Sequence, residues 1–395
     1  MNHEKLPDSK TVRELANVLR GDFDKVISIF TQISYAEEAL ISLTEEQLKC
    51  LDQLEDNPRC LIQGPAGTGK TLLAIEEVKK SAAKGEKVIL FCYNTMLGAW
   101  MKKYFENVPE ELRPTFVGTF HSFLYQAANS GNDLVCFPEA GNIQRFYRED
   151  LPLLAFEALE NSEVHYDKIV LDEAQDLLVD DYLDVMELML KGGISRGRWS
   201  MFGDFTMQAI YNDSGDPEAM KKILEKRTSF IKYKLRINCR NTKPIGEEVK
   251  CLTGFESSAY LWTKIDGPPV NYITYKNDDE QREKLESLLR KLAREKIDPS
   301  KITILSPVKR EVSVVSMINS EKIKDYKPDL KDCISFSTIH AYKGLENTVV
   351  ILTDITSFEH EKLMYVGLSR ARTALYIFET EMADKERKKL LMRWI

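Results

Sequence analysis

The sequence predicts an α/β protein made of two successive parallel-sheet halves, and three observations carry the prediction. From Leu43 onward, short apolar runs alternate with amphipathic stretches, as strands and helices do around a parallel sheet covered on both faces. The segment Gln63-Gly64-Pro65-Ala66-Gly67-Thr68-Gly69-Lys70-Thr71 has the spacing G-x-x-x-x-G-K-[ST] and lies between an apolar run and a helical pattern. The run Ile169-Val170-Leu171 ends on Asp172-Glu173, so a second strand delivers carboxylates at its carboxyl end, where open α/β sheets bind ligands.

The elements follow in chain order. Residues 1–42 are charged and helix-prone, with Leu15, Val18, Leu19, Val26, Ile29, Phe30 and Ile33 near helical spacing, and are expected to form a helical lead-in or connector. Arg59–Ile62 reads as a short buried strand, and Leu72–Lys84 as a helix whose N-terminus faces the Gly-rich loop. Lys87–Tyr93 is a near-continuous apolar run. Lys168–Leu171 and Trp199–Phe202 are similar, each ending against an acidic or Gly-Asp element. These segments make a first unit over residues 43–228. Ile231–Leu235 is expected to open the second unit, 229–395, whose other strands are Lys301–Leu305, Cys333–Phe336, Val349–Leu352 and Leu375–Phe378. Asp279–Lys296 is an amphipathic helix with Leu285, Leu288, Leu289 and Leu292 on one face. Gly267-Pro268-Pro269 marks a loop, and the basic run Lys385–Arg393 reads as a solvated end helix.

The residue types around Gly64 suit one chemistry. In the stretch Gly64, Pro65, Ala66, Gly67, Thr68 and Gly69, glycines let backbone N–H groups turn toward an anionic phosphate that a side chain would keep away. Lys70 supplies a point charge to the β- and γ-phosphates, and the Thr71 hydroxyl can coordinate Mg²⁺. Asp172 can hold the same Mg²⁺, and Glu173 can orient and deprotonate an attacking water. Gln208, just beyond the strand Trp199–Phe202, can sense the γ-phosphate because an amide both donates and accepts. ATP and Mg²⁺ are the expected ligands.

Composition narrows the class. The chain has 395 residues, 43% hydrophobic and 30% charged, with a net charge of -7 that argues against a uniformly basic nucleic-acid binder but not against a local basic groove. No apolar run is long enough to cross a membrane, and the N-terminus lacks the apolar core of a signal peptide. Seven cysteines without a C-x-x-C pair fit reduced thiols, a cytoplasmic setting, and neither a zinc site nor an iron–sulfur cluster.

With these motifs in fixed order, the chain resembles the superfamily 1 helicases of the UvrD/Rep type over nearly all of residues 43–379. Leu43-Thr44-Glu45-Glu46-Gln47 looks like the Q motif, which implies that Gln47 reads the adenine edge. Thr119-Phe120-His121-Ser122-Phe123 matches the T-F-H-S stretch on the nucleic-acid path. Asp172-Glu173-Ala174-Gln175-Asp176 has the family's D-E-x-Q-D form. Leu235–Thr242 resembles motif IV, which makes Arg240 a γ-phosphate contact. Phe336–Glu346 resembles motif V, with Thr338 and His340 toward the nucleic-acid backbone and Glu346 toward the ribose. Leu363–Arg372 resembles motif VI, with Arg370 as the arginine finger. The resemblance implies two tandem RecA-like P-loop domains with parallel sheets and few or no accessory subdomain insertions. Within the family, the short form looks most like the motor half of NERD-type nuclease–helicase proteins.

Departures from the pattern shape the expectation. Motif III lacks the Trp-Arg-Gly segment that stacks a base, so Tyr211 is the substitute candidate. Cys239 replaces the aromatic that stacks on adenine, leaving selectivity to Gln47, and Asn347 replaces a phenylalanine. The short spacers leave little room for the subdomains of unwinding members. The expected activity is ATP hydrolysis with translocation on single-stranded nucleic acid, DNA in the 3′-to-5′ direction by resemblance, and weak or partner-dependent unwinding. The alternative is a regulatory ATPase or nucleotide-gated switch for a partner nuclease or effector, for example in defence against foreign DNA.

Overall fold

Twelve strands sort into two six-stranded sheets in the computed structural model, which describes residues 28–130, 143–160, 162, 165–205, 217–255 and 263–394. The first sheet contains β1 (Arg59–Gln63), β2 (Val88–Cys92), β3 (Phe116–Thr119), β4 (Lys168–Leu171), β5 (Arg198–Gly203) and β6 (Ile231–Lys234) in the order β3-β2-β4-β5-β1-β6. The second contains β7 (Asn271–Tyr275), β8 (Ile302–Ser306), β9 (Ile323–Asp325), β10 (Ile334–Thr338), β11 (Asn347–Ile355) and β12 (Ala371–Thr380) in the order β7-β12-β11-β8-β10-β9. Every pairing is parallel. The architecture is α/β, with two tandem parallel sheets of the RecA-like kind.

Central strands are apolar on both faces because helices cover both. Val88 to Cys92 are all fully buried, and their side chains alternate between two cores. Ile89 and Phe91 join Leu61, Ile169, Trp199, Phe120 and Leu183 on one side. Leu90 and Cys92 join Ile62, Leu73, Val78, Leu97 and Met101 on the other, and this layer continues into Leu305, Val350 and Leu352 of the second sheet and Tyr365 of the helix Glu361–Leu368. The far face of the second sheet packs on the helix Asp278–Arg294 through Leu285, Leu288 and Leu292. Asn277 caps that helix by accepting from Glu280 N–H at 2.9 Å, with acidic residues in the first turn and Lys291 and Arg294 in the last. Each buried leucine contributes roughly 1.5–3 kcal/mol.

The sequence reading needs correction at the sheet edges. Ile231–Lys234 pairs with β1 and is the outer strand of the first sheet, not the first strand of the second. The helix Ile29–Leu54 runs without interruption through the expected boundary at residues 42 and 43. Strands β3, β7 and β9 have no counterpart in the apolar-run pattern. All three, like β6, are edge strands with mostly half-buried or exposed residues, so they lack the continuous apolar signal of a strand covered on both faces. The C-terminal helix Glu381–Leu391 is tied down rather than simply solvated: Arg387 bonds Glu379 and Asp384 and lies over the Tyr272 ring at 3.6 Å. Among the described residues no helix is long and apolar enough to cross a membrane.

Candidate functional site

The loop between β1 and the helix Lys70–Ala83 is shaped by its glycines. Gly67 and Gly69 have φ of 83° and 77°, a region that L side chains rarely adopt. A Cβ on Gly67 would also stand 2.7 Å from Asn238 Oδ1, so the second loop, Leu235–Thr242, can approach only a glycine here. Gly64 N–H donates to Gly203 O at 3.1 Å, and Thr68 Oγ1 donates to Pro65 O at 2.9 Å. Lys70 is 6% exposed and donates from Nζ to Gly64 O at 2.8 Å and Pro65 O at 3.0 Å, which holds its charge over the loop. Burial lowers its pKa against the opposing charges of Asp204, Glu173 and Asp172.

The carboxyl end of β4 faces this loop. Asp172 is fully buried and its Oδ2 accepts from Thr71 Oγ1 at 2.7 Å. Burial and the adjacent Glu173 charge raise the Asp172 pKa. Two oxygen donors side by side, the Thr71 hydroxyl and the Asp172 carboxylate, would fit a hard ion such as Mg²⁺, which takes one or two carboxylates along with phosphate and water oxygens. Glu173 holds φ of 54°, an unusual backbone for glutamate. Burial would raise its pKa, but Lys343 and Lys70 outweigh burial and hold it below the usual range.

The other side of the cleft comes from the second half of the chain. Arg240 and Arg370 line one small cavity with Ala66, Gly67, Gly69, Lys70, Thr71 and Glu173. Arg370 is 1% exposed and donates to Val366 O at 2.9 Å, Leu345 O at 3.1 Å and Ser369 Oγ at 2.9 Å. Burial and the neighbouring Arg240 charge lower its pKa to about 10. Arg240 Nε pairs with Glu346. Burial alone would raise Glu346, but Arg240 and Arg372 hold it ionised, below the usual carboxylate range.

Other expected residues are placed less uniformly. Gln208 and Tyr211 lie outside the described residues. Gln47 Nε2 donates to Ile237 O at 2.9 Å and its Oε1 accepts from Cys239 Sγ at 3.4 Å, so its amide is committed to the second loop. Thr119, at the end of β3, caps the next helix by accepting from Ser122 N–H at 3.1 Å. Thr338 ends β10 and the exposed His340 follows it, at the carboxyl end of that strand in the second sheet. Phe120 is corrected: it is fully buried, with its ring 5.1 Å from those of Phe91 and Tyr182, and does not reach the surface where a strand would lie. His121 is turned inward as well, with Nε2 2.7 Å from Tyr182 Oη and its ring among Tyr93 and Tyr147. The reason is the helix register, which sends Phe120 and Leu124 into the apolar core beneath β2.

Several residues at the cleft were not singled out by sequence reasoning. Lys343, 1% exposed, reaches from the second half to Asp176 Oδ2 at 2.5 Å and Glu173 Oε2 at 3.7 Å. Tyr365 Oη accepts from Ala66 N–H at 3.0 Å and lies 3.5 Å from Asp204 Oδ2. Asn241 Nδ2 donates to Ser369 O at 3.1 Å and Ala371 O at 2.6 Å, which fastens the Arg240 loop to the segment carrying Arg370. Gln175 links the two strand ends, accepting from Asp204 N–H at 2.9 Å while its amide donates to Glu173. All four lie inside motif stretches already quoted from the sequence, but membership in a motif does not give a side chain's direction in space.

Comparisons with known proteins bear on both halves. Residues 30–187 match the family described as "Type III restriction enzyme, res subunit", and residues 334–378 match "UvrD-like helicase C-terminal domain". No curated protein matches the chain. Among solved structures, the chain is similar to one titled "The structure of PRRSV helicase", with 14% identity, a TM-score of 0.40, and coverage of 81% of this chain and 52% of that one. The chain thus spans about half the length of that protein. The matched segments lie one in each half, and their likeness is to the helicase superfamily.

Proposed function

We propose that the chain is a motor that hydrolyses ATP with Mg²⁺ and translocates along single-stranded nucleic acid. The observation that carries this reading is the meeting, around the loop Gly64–Thr71, of Lys70, Asp172 and Glu173 from the first sheet with Arg240, on the segment that leaves β6, and Arg370, at the start of β12 in the second sheet. In this reading the amides of Gly67, Thr68, Gly69 and Lys70 and the Lys70 ammonium bind the triphosphate. Thr71 and Asp172 would hold Mg²⁺, which when bound would supply positive charge to the phosphate oxygens. Glu173 orients the attacking water and takes its proton, with Gln175 and Lys343 holding its carboxylate in place. Arg240 and Arg370 stabilise charge on the transferring phosphoryl group, an effect of ~10³–10⁵ in rate for such arginines. Gln208 adds a γ-phosphate contact.

Hydrolysis would remove the anion that draws Arg240 and Arg370 toward Lys70, so the cleft opens and closes once per turnover. A strand lying across Thr119 on one sheet and Thr338 and His340 on the other would be displaced by that motion. Single-stranded DNA, the 3′-to-5′ direction, unwinding that depends on a partner, and kinship with the NERD-type motors follow from the sequence resemblance. The test is ATP turnover with and without single-stranded DNA and RNA. Stimulation of at least ten-fold is expected for a translocase.

A second reading draws on the direct bonds across the cleft, Ala66 to Tyr365 and Lys343 to Asp176, which tie residues beside the loop and the acidic strand end to the second half. Such ties suit a nucleotide-gated switch that controls a partner nuclease or effector. Hydrolysis indifferent to nucleic acid would favour it over the motor.

A further inference from the structure

We infer that the base of the nucleotide lies in an aromatic cavity beside the phosphate loop and is selected by stacking, with no reading of its edge, so that all four common ribonucleoside triphosphates are substrates. This rests on the reading of the cleft as a nucleoside triphosphatase. The cavity has a volume of ≈ 300 Å³, at the lower end of the range of about 300–1,000 Å³ for small-molecule pockets. It begins at Gly67, Gly69 and Thr71, so it continues directly from the phosphate position. Its apolar walls come from both halves of the chain: Leu72 and Trp100 from the first, Tyr326 and Leu345 from the second. Leu72 is 40% exposed although it follows directly on Thr71, an apolar surface left open where a base would lie. The two aromatic walls are buttressed from behind, Trp100 by Tyr104 with centroids 5.8 Å apart and Tyr326 by Tyr342 at 5.4 Å.

The polar groups of the cavity suit a sugar and phosphates. Its charged members are Arg240, Glu346 and Arg372. Arg372 Nε is buried, 3.7 Å from Glu346 Oε1, with no hydrogen-bond partner among the described residues. A ribose hydroxyl can accept from that nitrogen and donate to Glu346. Nothing comparable waits for a base edge. Thr44 Oγ1 already donates to Leu40 O at 2.8 Å, and Cys239 Sγ lies 3.3 Å from Gly67 O. Among the described residues no side-chain amide lines the cavity. Gln47, the adenine reader by resemblance, is bonded to Ile237 O and lines a separate groove with Lys234 and Arg236. Stacking tolerates every base because every base has a π-face.

The experiment measures affinity by titration calorimetry, and turnover, for the Mg²⁺ salts of ATP, GTP, CTP and UTP on the full chain, with inorganic tripolyphosphate as a baseless control. Affinities within about three-fold across the four nucleotides are expected. Trp100→Ala should weaken all four by roughly ten-fold, as loss of one stacking partner does, and leave tripolyphosphate binding unchanged. Trp100→Phe should restore most of the loss, and Gln47→Ala should leave the ATP-to-GTP ratio as it was. A preference for ATP over GTP above ten-fold that Gln47→Ala erases would overturn the inference, as would unchanged affinities in Trp100→Ala. Equal binding of the four nucleotides without turnover of any would overturn the hydrolase reading while leaving base selection by stacking in place. Should Trp100→Ala fail to fold, the wild-type ratios and Gln47→Ala decide alone.

Discussion

Replacing Lys343 with methionine keeps the length and most of the volume of the side chain while removing its charge, which isolates the electrostatic role of this buried residue. Lys343 Nζ stands 2.5 Å from Asp176 Oδ2 and 3.7 Å from Glu173 Oε2, and all three side chains are at most 6% exposed. Removing one partner of such a buried pair leaves an uncompensated charge and costs ~3–5 kcal/mol. The cost should depend on pH. Burial already raises the Asp176 pKa to about 6, against the pull of Lys343. Without Lys343 it rises further, and each pH unit by which the solution exceeds that value costs about 1.4 kcal/mol if the carboxylate is to ionise. The unfolded chain releases the proton near its ordinary value, so the folded variant binds more protons between the two values and loses stability as pH rises through that window. Lys343→Met should therefore lose ~3–5 kcal/mol near pH 8 and clearly less near pH 5, where Asp176 can be neutral. Urea unfolding of both proteins at the two pH values measures this. An equal loss at both, or a loss below about 1 kcal/mol at the higher pH, would refute the reasoning and leave Lys343 as a packing residue.

Other outcomes follow from the same geometry. Lys70→Ala should abolish ATP turnover while the far-UV circular dichroism stays native, since the loop keeps its Gly64 and Thr68 backbone and hydroxyl bonds. Arg370→Ala should leave ATP binding largely intact and slow hydrolysis by ~10³–10⁵, measured as kcat against Kd; a normal rate would refute the two-sided site. His121 should make the fold acid-sensitive. Burial lowers its pKa from 6.5 to about 4, so the unfolded chain takes up a proton that the folded one refuses. The neutral ring's stability is fully present above about pH 6.5 and is lost as pH falls toward 4, at most ~3 kcal/mol. In thermal melts across that range, His121→Phe should flatten this limb.

The sequence by itself determined the Gly-rich loop, the acidic strand end and the central strands of both sheets. The loop Gly64–Thr71, the acidic end of Lys168–Leu171, and apolar runs such as Val88–Cys92 are local patterns. Each is legible because neighbouring residues act together, as amides around one anion or as side chains buried on both faces of a strand. Tertiary structure decided the edges and the pairings across the cleft. The four outer strands β3, β6, β7 and β9 lack two-sided burial, so their patterns carry little apolar signal, and Ile231–Lys234 was assigned to the wrong sheet for that reason. Phe120 and His121 sit in a stretch that resembles a nucleic-acid contact, yet helix register puts Phe120 in the core beneath β2, and the half-buried His121 bonds Tyr182. Lys343 meets Asp176 across 167 positions, and Tyr365 meets Ala66 across 299. Separation of that order erases any local pattern, because contact depends on where two sheets place their strand ends. The Gly-rich loop is thus a property of eight consecutive residues, whereas the site that would act on a phosphate is a property of two sheets and the layer of side chains packed between them.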